Sequence, residues 1–271
     1  MDKEKGRLDI LYYNCSDFQG YNYLCQHIQT YDRAELDSTV HDAKYTTIIR
    51  SPFTHLKSKF YYSRRILNLS MSPDPFAIHL KEIEKTAMKD EQLRKETNCF
   101  HFRFGLKITE NTSSAFEDFR QFDDEIDLVM MMEDMDESLV LLKKLMCWDF
   151  DDIVYRSCKV HEYYQPPTTD AMRDIITKVS HADIRLYDYF NRTFWEKVKN
   201  YDGDFEADLE EFRSFQKAAT GKCEASECSD YCRNLQGDVK DLVKIVYNQQ
   251  AKWIDVLKSV VYPTILVLAA F

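Results

Sequence analysis

Arg50 and Ser58 are the residues whose type and spacing most readily do chemistry. They stand eight residues apart at the end of a β-type run, Tyr45-Thr46-Thr47-Ile48-Ile49. Pro52 follows Arg50-Ser51, breaks the strand and suits the start of a helix. An arginine at a strand end presents a planar fork of charged donors that matches a phosphate. A serine two helical turns on adds a hydroxyl donor to the same anion. The chemistry implied is capture of a phosphate-like group. The plain alternative is a strand–loop–helix junction with a surface arginine. Two other groupings are weaker. Cys223, Cys228 and Cys232 lack a fourth zinc ligand at motif spacing, so disulfides or buried thiols are the simpler reading. Asp134, Asp136 and Glu137 invite a glycosidase or divalent-metal reading, but their place at a helix start suits the cap and the dipole.

The elements that must position these groups follow from periodicity. Residues 8–13 read as a short strand and 44–49 as a second, half- or fully buried one. Phe53 to Leu69 reads as a helix with Leu56, Phe60 and Ile66 for its core face. Residues 76–96 form a charged helical stretch, and 98–114 a looser segment. Asp127 to Glu133 is an apolar run bounded by acids, which suits a buried parallel strand. Asp134 to Glu137 then carries helix-start chemistry. Leu139, Leu142, Leu145 and Met146 recur at helical spacing, and Cys147-Trp148 closes that helix. Residues 152–155 read as a further strand, so strand, helix and strand imply a right-handed crossover in a parallel sheet. Beyond Pro166-Pro167 three helices are expected, over 169–179, 182–201 and 205–219. Their aromatics, Tyr187, Tyr189, Phe190, Phe194 and Trp195, read as core. Residues 238–261 read as an amphipathic helix leading into an apolar tail. That tail is short for a membrane span, which leaves a buried or interfacial segment and a membrane anchor both open.

Composition bounds the class. A chain of 271 residues can hold one large α/β domain, or a domain plus an appendage. With 44% hydrophobic and 30% charged residues it is not disordered in bulk, and six glycines and six prolines leave little for long linkers. A net charge of −10 disfavours non-specific nucleic-acid binding. A local basic cleft is still compatible with Lys57, Lys59, Arg64 and Arg65. Eight cysteines permit disulfides without fixing their pairing. Four N-x-[ST] sequons, at Asn14, Asn68, Asn111 and Asn191, favour a secretory lumen over cytosol and a glycoprotein. Met1 to Lys5 is charged, and no apolar signal-peptide stretch follows it.

Three stretches together resemble the galactose-3-O-sulfotransferase family. The first is Leu24-Cys25-Gln26-His27 leading to Tyr45–Pro52 and Ser58-Lys59-Phe60-Tyr61-Tyr62. The second is Ile126–Glu133 with Asp136 through Trp148. The third is Leu186-Tyr187-Asp188-Tyr189-Phe190-Asn191 with Phe194-Trp195. The similarity runs over about residues 20 to 235, as a motif-level reading. It implies an α/β fold with a three-layer parallel sheet of the P-loop sulfotransferase type and a helical C-terminal region. Residues 1–235 would form that domain, and 236–271 an amphipathic helix and apolar tail.

The resemblance also implies an activity: transfer of a sulfonate from 3′-phosphoadenosine-5′-phosphosulfate (PAPS) to the 3-hydroxyl of a galactose on a glycolipid or glycan. Arg50 and Ser58 then correspond to binders of the nucleotide 3′-phosphate. His27 corresponds to the histidine of a Cys-x-His segment, a general base or acceptor ligand, with a structural histidine as the alternative. Lys159 lies near a family Lys-x-Asn stretch. No metal is implied, nor any nucleic-acid partner. A Golgi lumenal or membrane location and a homo- or hetero-oligomer are compatible with the family. Three departures stand out. Ser51 replaces a usual aspartate, which is expected to loosen the turn after the strand. His161 stands where asparagine is expected. The loop that wraps the 5′-phosphosulfate should precede Leu8 and is not recognisable there, so the fold is expected to be incomplete at its N-terminus. The competing reading is a non-catalytic lumenal protein that keeps the fold and binds sugar or a partner enzyme.

Overall fold

Two apolar runs that end in polar residues build the sheet. The structure, a computed structural model, describes residues 23–26, 30–38, 42–64, 74–87, 89–109, 111–155, 167–225, 232 and 265–269. Strand β2 (Lys44–Ile49) lies parallel to β3 (Leu128–Met131), with Ile49 opposite Met131. Tyr45 to Ile49 and all of β3 are buried without alternation, as in parallel strands covered on both faces. Asp127 fixes the register at the strand starts. Its carboxylate accepts Lys44 Nζ at 2.9 Å and the Tyr45 backbone N–H at 2.8 Å. On the other side of β2 lies β4 (Ile265–Ala269), and beyond it β1 (Tyr23–Gln26), giving the order β1-β4-β2-β3, all parallel. Part of the apolar tail, residues 265–269, is therefore a sheet strand. Among the described residues no helix is long and apolar enough to cross a membrane.

Helices make up most of the rest: α1 (Arg33–Asp37), α2 (Pro52–Arg64), α3 (Pro75–Thr86), α4 (Glu91–Thr97), α5 (Cys99–Arg103), α6 (Thr112–Glu125), α7 (Met135–Met146), α8 (Phe150–Ile153), α9 (Asp170–Val179), α10 (His181–Lys199) and α11 (Phe205–Ala225). The chain divides into two units. The first holds residues 1–135, 162–199 and 264–271, and the second 136–161 and 200–263.

In the first unit, Leu56, Phe60 and Tyr61 of α2 form one cluster with Phe76, Leu80 and Ile83 of α3 and Ile175, Ile176 and Val179 of α9. Each such side chain contributes about 1.5–3 kcal/mol when fully buried. Asp74 starts α3: its carboxylate accepts the Phe76 N–H, Pro75 supplies the first turn, and the Tyr61 hydroxyl donates to it at 2.9 Å. Helix α10 buries Ala182, Leu186, Phe190 and Phe194, a stripe at four-residue spacing. A reciprocal cap joins α5 and α10. Asn98 Oδ1 accepts the Ala182 and Asp183 N–H groups at the start of α10. Asp183 accepts the Phe100 and His101 N–H groups at the start of α5. Gly105 has φ +69°, and a Cβ there would lie 3.3 Å from the Tyr31 carbonyl oxygen, so the turn after α5 requires glycine.

The second unit is tied by α11. Arg213 Nε and Nη2 donate to Asp136 Oδ2 at 3.0 Å and Glu137 Oε1 at 2.8 Å. Those acids therefore serve an ion-pair hub as well as the first turn of α7. Cys147 ends α7 at φ 54°, and the Trp148 N–H returns to the Lys143 carbonyl. A disulfide joins Cys223 to Cys232, which removes two of the thiolates that a zinc reading needs.

Three expectations need correction. Residues 98–114 are not loose: they hold α5 and the start of α6, whose Asn111 cap accepts the Ser113 and Ser114 N–H groups. The stretch 76–96 is two helices, divided where Asp90 caps α4. Residues 152–155 are not a strand. Asp149 and Asp152 form a reciprocal capping box that starts α8, so the expected crossover lacks its second strand there. The expected strand at 8–13 and helix at 238–261 lie outside the described residues. What is shown is a mostly helical α/β fold with a small parallel sheet. The three-layer P-loop arrangement is not part of what the described residues show.

Candidate functional site

The site grows from the parallel register of β2 and β3. Because Ile49 faces Met131, the next residues run on side by side, and the Met132 N–H donates to the Ile49 carbonyl at 2.9 Å. Arg50 and Ser51 thus leave the sheet next to Met132 and Glu133. Ligands of open parallel sheets gather at this carboxyl end of the strands.

Arg50 is half-buried, and its Nε–H donates to Thr54 Oγ1 at 2.9 Å. Its terminal Nη groups have no partner among the described residues. The guanidinium is therefore anchored by one nitrogen, with the two-pronged end of its fork open. Thr54 Oγ1 lies 3.1 Å from the Ser51 carbonyl and 3.2 Å from Glu133 Oε1, so its single proton goes to one or the other. Glu133 Oε1 also accepts the Ser51 backbone N–H at 2.9 Å, and Oε2 accepts the Tyr187 hydroxyl of α10 at 3.2 Å. The turn at Ser51, expected to be loose, is held by this carboxylate. Burial and the nearby Glu133 carboxylate push the Tyr187 hydroxyl pKa well up, so it stays a donor. Ser58 is half-buried one helical turn beyond Thr54, on the same face of α2. No hydrogen bond joins Arg50 to Ser58 among the described residues.

His55 sits between these groups. Burial pushes its pKa down to about 4, with the Lys59, Arg50 and Arg103 charges adding to the shift and Asp183 opposing it. Its ring lies 4.8 Å from that of Phe100, and its Nδ1 is 3.7 Å from Cys99 Sγ. Burial pushes the Cys99 thiol up to about 12, so both groups are neutral near pH 7 and neither is an activated nucleophile or base. The imidazole nevertheless registers a local field from three cations, on a chain whose net charge is −10.

A cleft elsewhere on the first unit differs in charge. Asp188, Asn191, Arg192, Trp195, Glu196 and Lys199 of α10 line an open cleft of about 530 Å³. Two carboxylates balance two cations there, which suits a neutral polar ligand better than an anion. Among the described residues no group of three or more His, Cys, Asp or Glu could hold a metal ion.

His27, Lys159 and His161 lie outside the described residues. Thr54, the partner of Arg50, went unrecognised, as did Glu133, which meets Thr54, and Tyr187, which meets Glu133. The signal that points to them is the pairing of two apolar runs, one ending in Arg50-Ser51 and the other in Met132-Glu133.

The fold is that of an α/β protein, with an arginine fork at the carboxyl end of a parallel strand, beside a helix N-terminus. The sequence places it more closely. A family model for galactose-3-O-sulfotransferase matches residues 8–230. The chain belongs to this sulfotransferase family. Galactosylceramide sulfotransferase of Mus musculus is 26% identical over 193 residues, covering 67% of this chain and 44% of the relative. Galactose-3-O-sulfotransferase 3 of Mus musculus is 31% identical over 193 residues, covering 65% and 43%. The chain spans less than half the length of these curated relatives. No solved structure matches it.

Proposed function

We propose that this protein is a PAPS-dependent sulfotransferase that modifies the 3-hydroxyl of a galactose on a glycolipid or glycan in the Golgi lumen. Arg50 and Ser58 hold the 3′-phosphate of the nucleotide. The observation that carries this reading is the Arg50 guanidinium, anchored through Nε to Thr54 with its terminal nitrogens open at the carboxyl end of β2. Lys59 and Arg103 add positive field nearby. The names of the relatives support the acceptor class. The Cys223–Cys232 disulfide supports an oxidising compartment.

In the proposed reaction the galactose 3-oxygen attacks sulfur, the sulfur–oxygen bond to the 5′-phosphate breaks, and adenosine 3′,5′-bisphosphate leaves. The galactose hydroxyl proton goes to a base, for which we propose His27. Positioning and electrostatics carry such transfers, by analogy with phosphoryl transfer.

The test is isothermal titration with adenosine 3′,5′-bisphosphate, followed by transfer of labelled sulfonate to galactosylceramide and to a galactose-terminated glycan. Arg50→Ala should weaken nucleotide binding about tenfold or more, as expected for loss of a charge-assisted pair. Ser58→Ala should weaken it less. Equal affinity in wild type and Arg50→Ala would sink the nucleotide assignment. Tight binding with no transfer to either acceptor would replace the enzyme by a sulfotransferase-like binding protein.

A further inference from the structure

We infer that Glu133 is a positioning residue for nucleotide binding: acting through Thr54, it presets the Arg50 guanidinium. The inference rests on the proposed nucleotide reading and assigns a part of the same site.

Glu133 is an odd neighbour for an anion site. A carboxylate at the mouth of a phosphate-binding cleft should repel its ligand. Its hydrogen bonds show what it does instead. Oε1 takes the Ser51 N–H at 2.9 Å and lies 3.2 Å from the Thr54 hydroxyl, and Oε2 takes the Tyr187 hydroxyl at 3.2 Å. When Thr54 spends its one proton on Glu133 or on the Ser51 carbonyl, its lone pair faces Arg50 Nε, 2.9 Å away. The chain of contacts runs Tyr187, Glu133, Thr54, Arg50. Thr54 has two acceptors in reach, the Ser51 carbonyl and Glu133 Oε1, and Glu133 also holds the Ser51 N–H, so the carboxylate bears on both. The result is an arginine whose χ angles are fixed before the ligand arrives, with its bidentate end unspent.

An arginine left free must lose its rotamers when the ligand binds, and that ordering weakens affinity by a few-fold to about tenfold per immobilised side chain. Holding it in place removes this loss. Glutamine at 133 retains the Oε1 acceptor for the Ser51 N–H and Thr54 hydroxyl while shedding the charge. The positioning role and the charge are thus separable by substitution.

The experiment measures adenosine 3′,5′-bisphosphate affinity by calorimetry on the full chain. Wild type is compared with Glu133→Ala, Glu133→Gln, Thr54→Val and Arg50→Ala. Glu133→Ala and Thr54→Val should each weaken binding about three- to tenfold. Glu133→Gln should bind as well as wild type or better. The Glu133→Ala effect should vanish in an Arg50→Lys background, because lysine has no Nε–H for Thr54 to hold. A purely structural role at the start of α2 would instead weaken binding equally in both backgrounds, since Ser58 rides on that helix; that result overturns the inference. If Arg50→Ala weakens binding while Glu133→Ala and Thr54→Val match wild type, the inference fails and the nucleotide reading stands. If wild type shows no heat, or Arg50→Ala binds like wild type, both fail.

Discussion

Replacing His55 by glutamine should flatten the acid dependence of stability. His55 is half-buried against Phe100, and its folded pKa is pushed from 6.5 to about 4, chiefly by desolvation, with the Asp183 charge opposing and the Lys59, Arg50 and Arg103 charges adding to the shift. In the unfolded chain the imidazole titrates near its ordinary value. Between these two values the unfolded chain binds a proton that the folded chain refuses. Stability therefore falls as pH drops from about 6.5 toward 4, and the His55 contribution is intact only above that window. At about 1.36 kcal/mol per pKa unit, the loss by pH 4 is about 3 kcal/mol. Urea unfolding of wild type and His55→Gln at pH 7.5, 6, 5 and 4 isolates the contribution, because every other group titrates in both proteins. Wild type should lose about 3 kcal/mol more than the variant over that span. Curves that fall in parallel, within about 0.5 kcal/mol, would refute the argument that His55 is held neutral.

Two structural predictions accompany it. Asn98→Ala removes a fully buried carboxamide that caps α10 and donates to the Val179 carbonyl at 2.8 Å, so it should cost about 2–4 kcal/mol in chemical denaturation. A loss under about 1 kcal/mol would show that water or a local shift replaces the cap. Cys223→Ser opens the disulfide that spans nine residues of sequence and should lower the stability of the second unit by about 2–3 kcal/mol; an unchanged midpoint under oxidising conditions would refute it.

How far the sequence could be read depended on whether each element is specified by its neighbours. Strands β2 and β3 were legible because their residues are buried on both faces and bounded by charge. Helix α7 was legible because acids open it and leucines recur along it. Helix α5 was not, since its N–H groups are satisfied by Asp183, more than eighty residues further on. A five-residue helix capped from afar carries no local signal. Residues 152–155 misled for the opposite reason. Ile153-Val154-Tyr155 has strand composition, but the Asp149–Asp152 box just before it decides for a helical turn. At the site, Arg50 could be picked out from its own position. Glu133 could not, because its partnership with Ser51 and Thr54 exists only once two runs about eighty residues apart are paired in register.

That pairing gives the site a built-in reporter. The Arg50 charge is one of the cations that hold the His55 pKa down. Removing it should move that pKa upward, and so should a phosphate that docks on the open fork and offsets its charge. Both shifts can be read from the His55 ring signals in an NMR titration of the folded protein between pH 7 and 4. Adenosine 3′,5′-bisphosphate should raise the His55 pKa in wild type and leave it unmoved in Arg50→Ala. Binding should correspondingly tighten as pH falls through the window where the liganded imidazole takes up a proton. If Arg50→Ala raises the pKa while the nucleotide binds without moving it, the phosphate docks out of reach of the β2 strand end. Arg50 would then be a structural arginine held by Thr54.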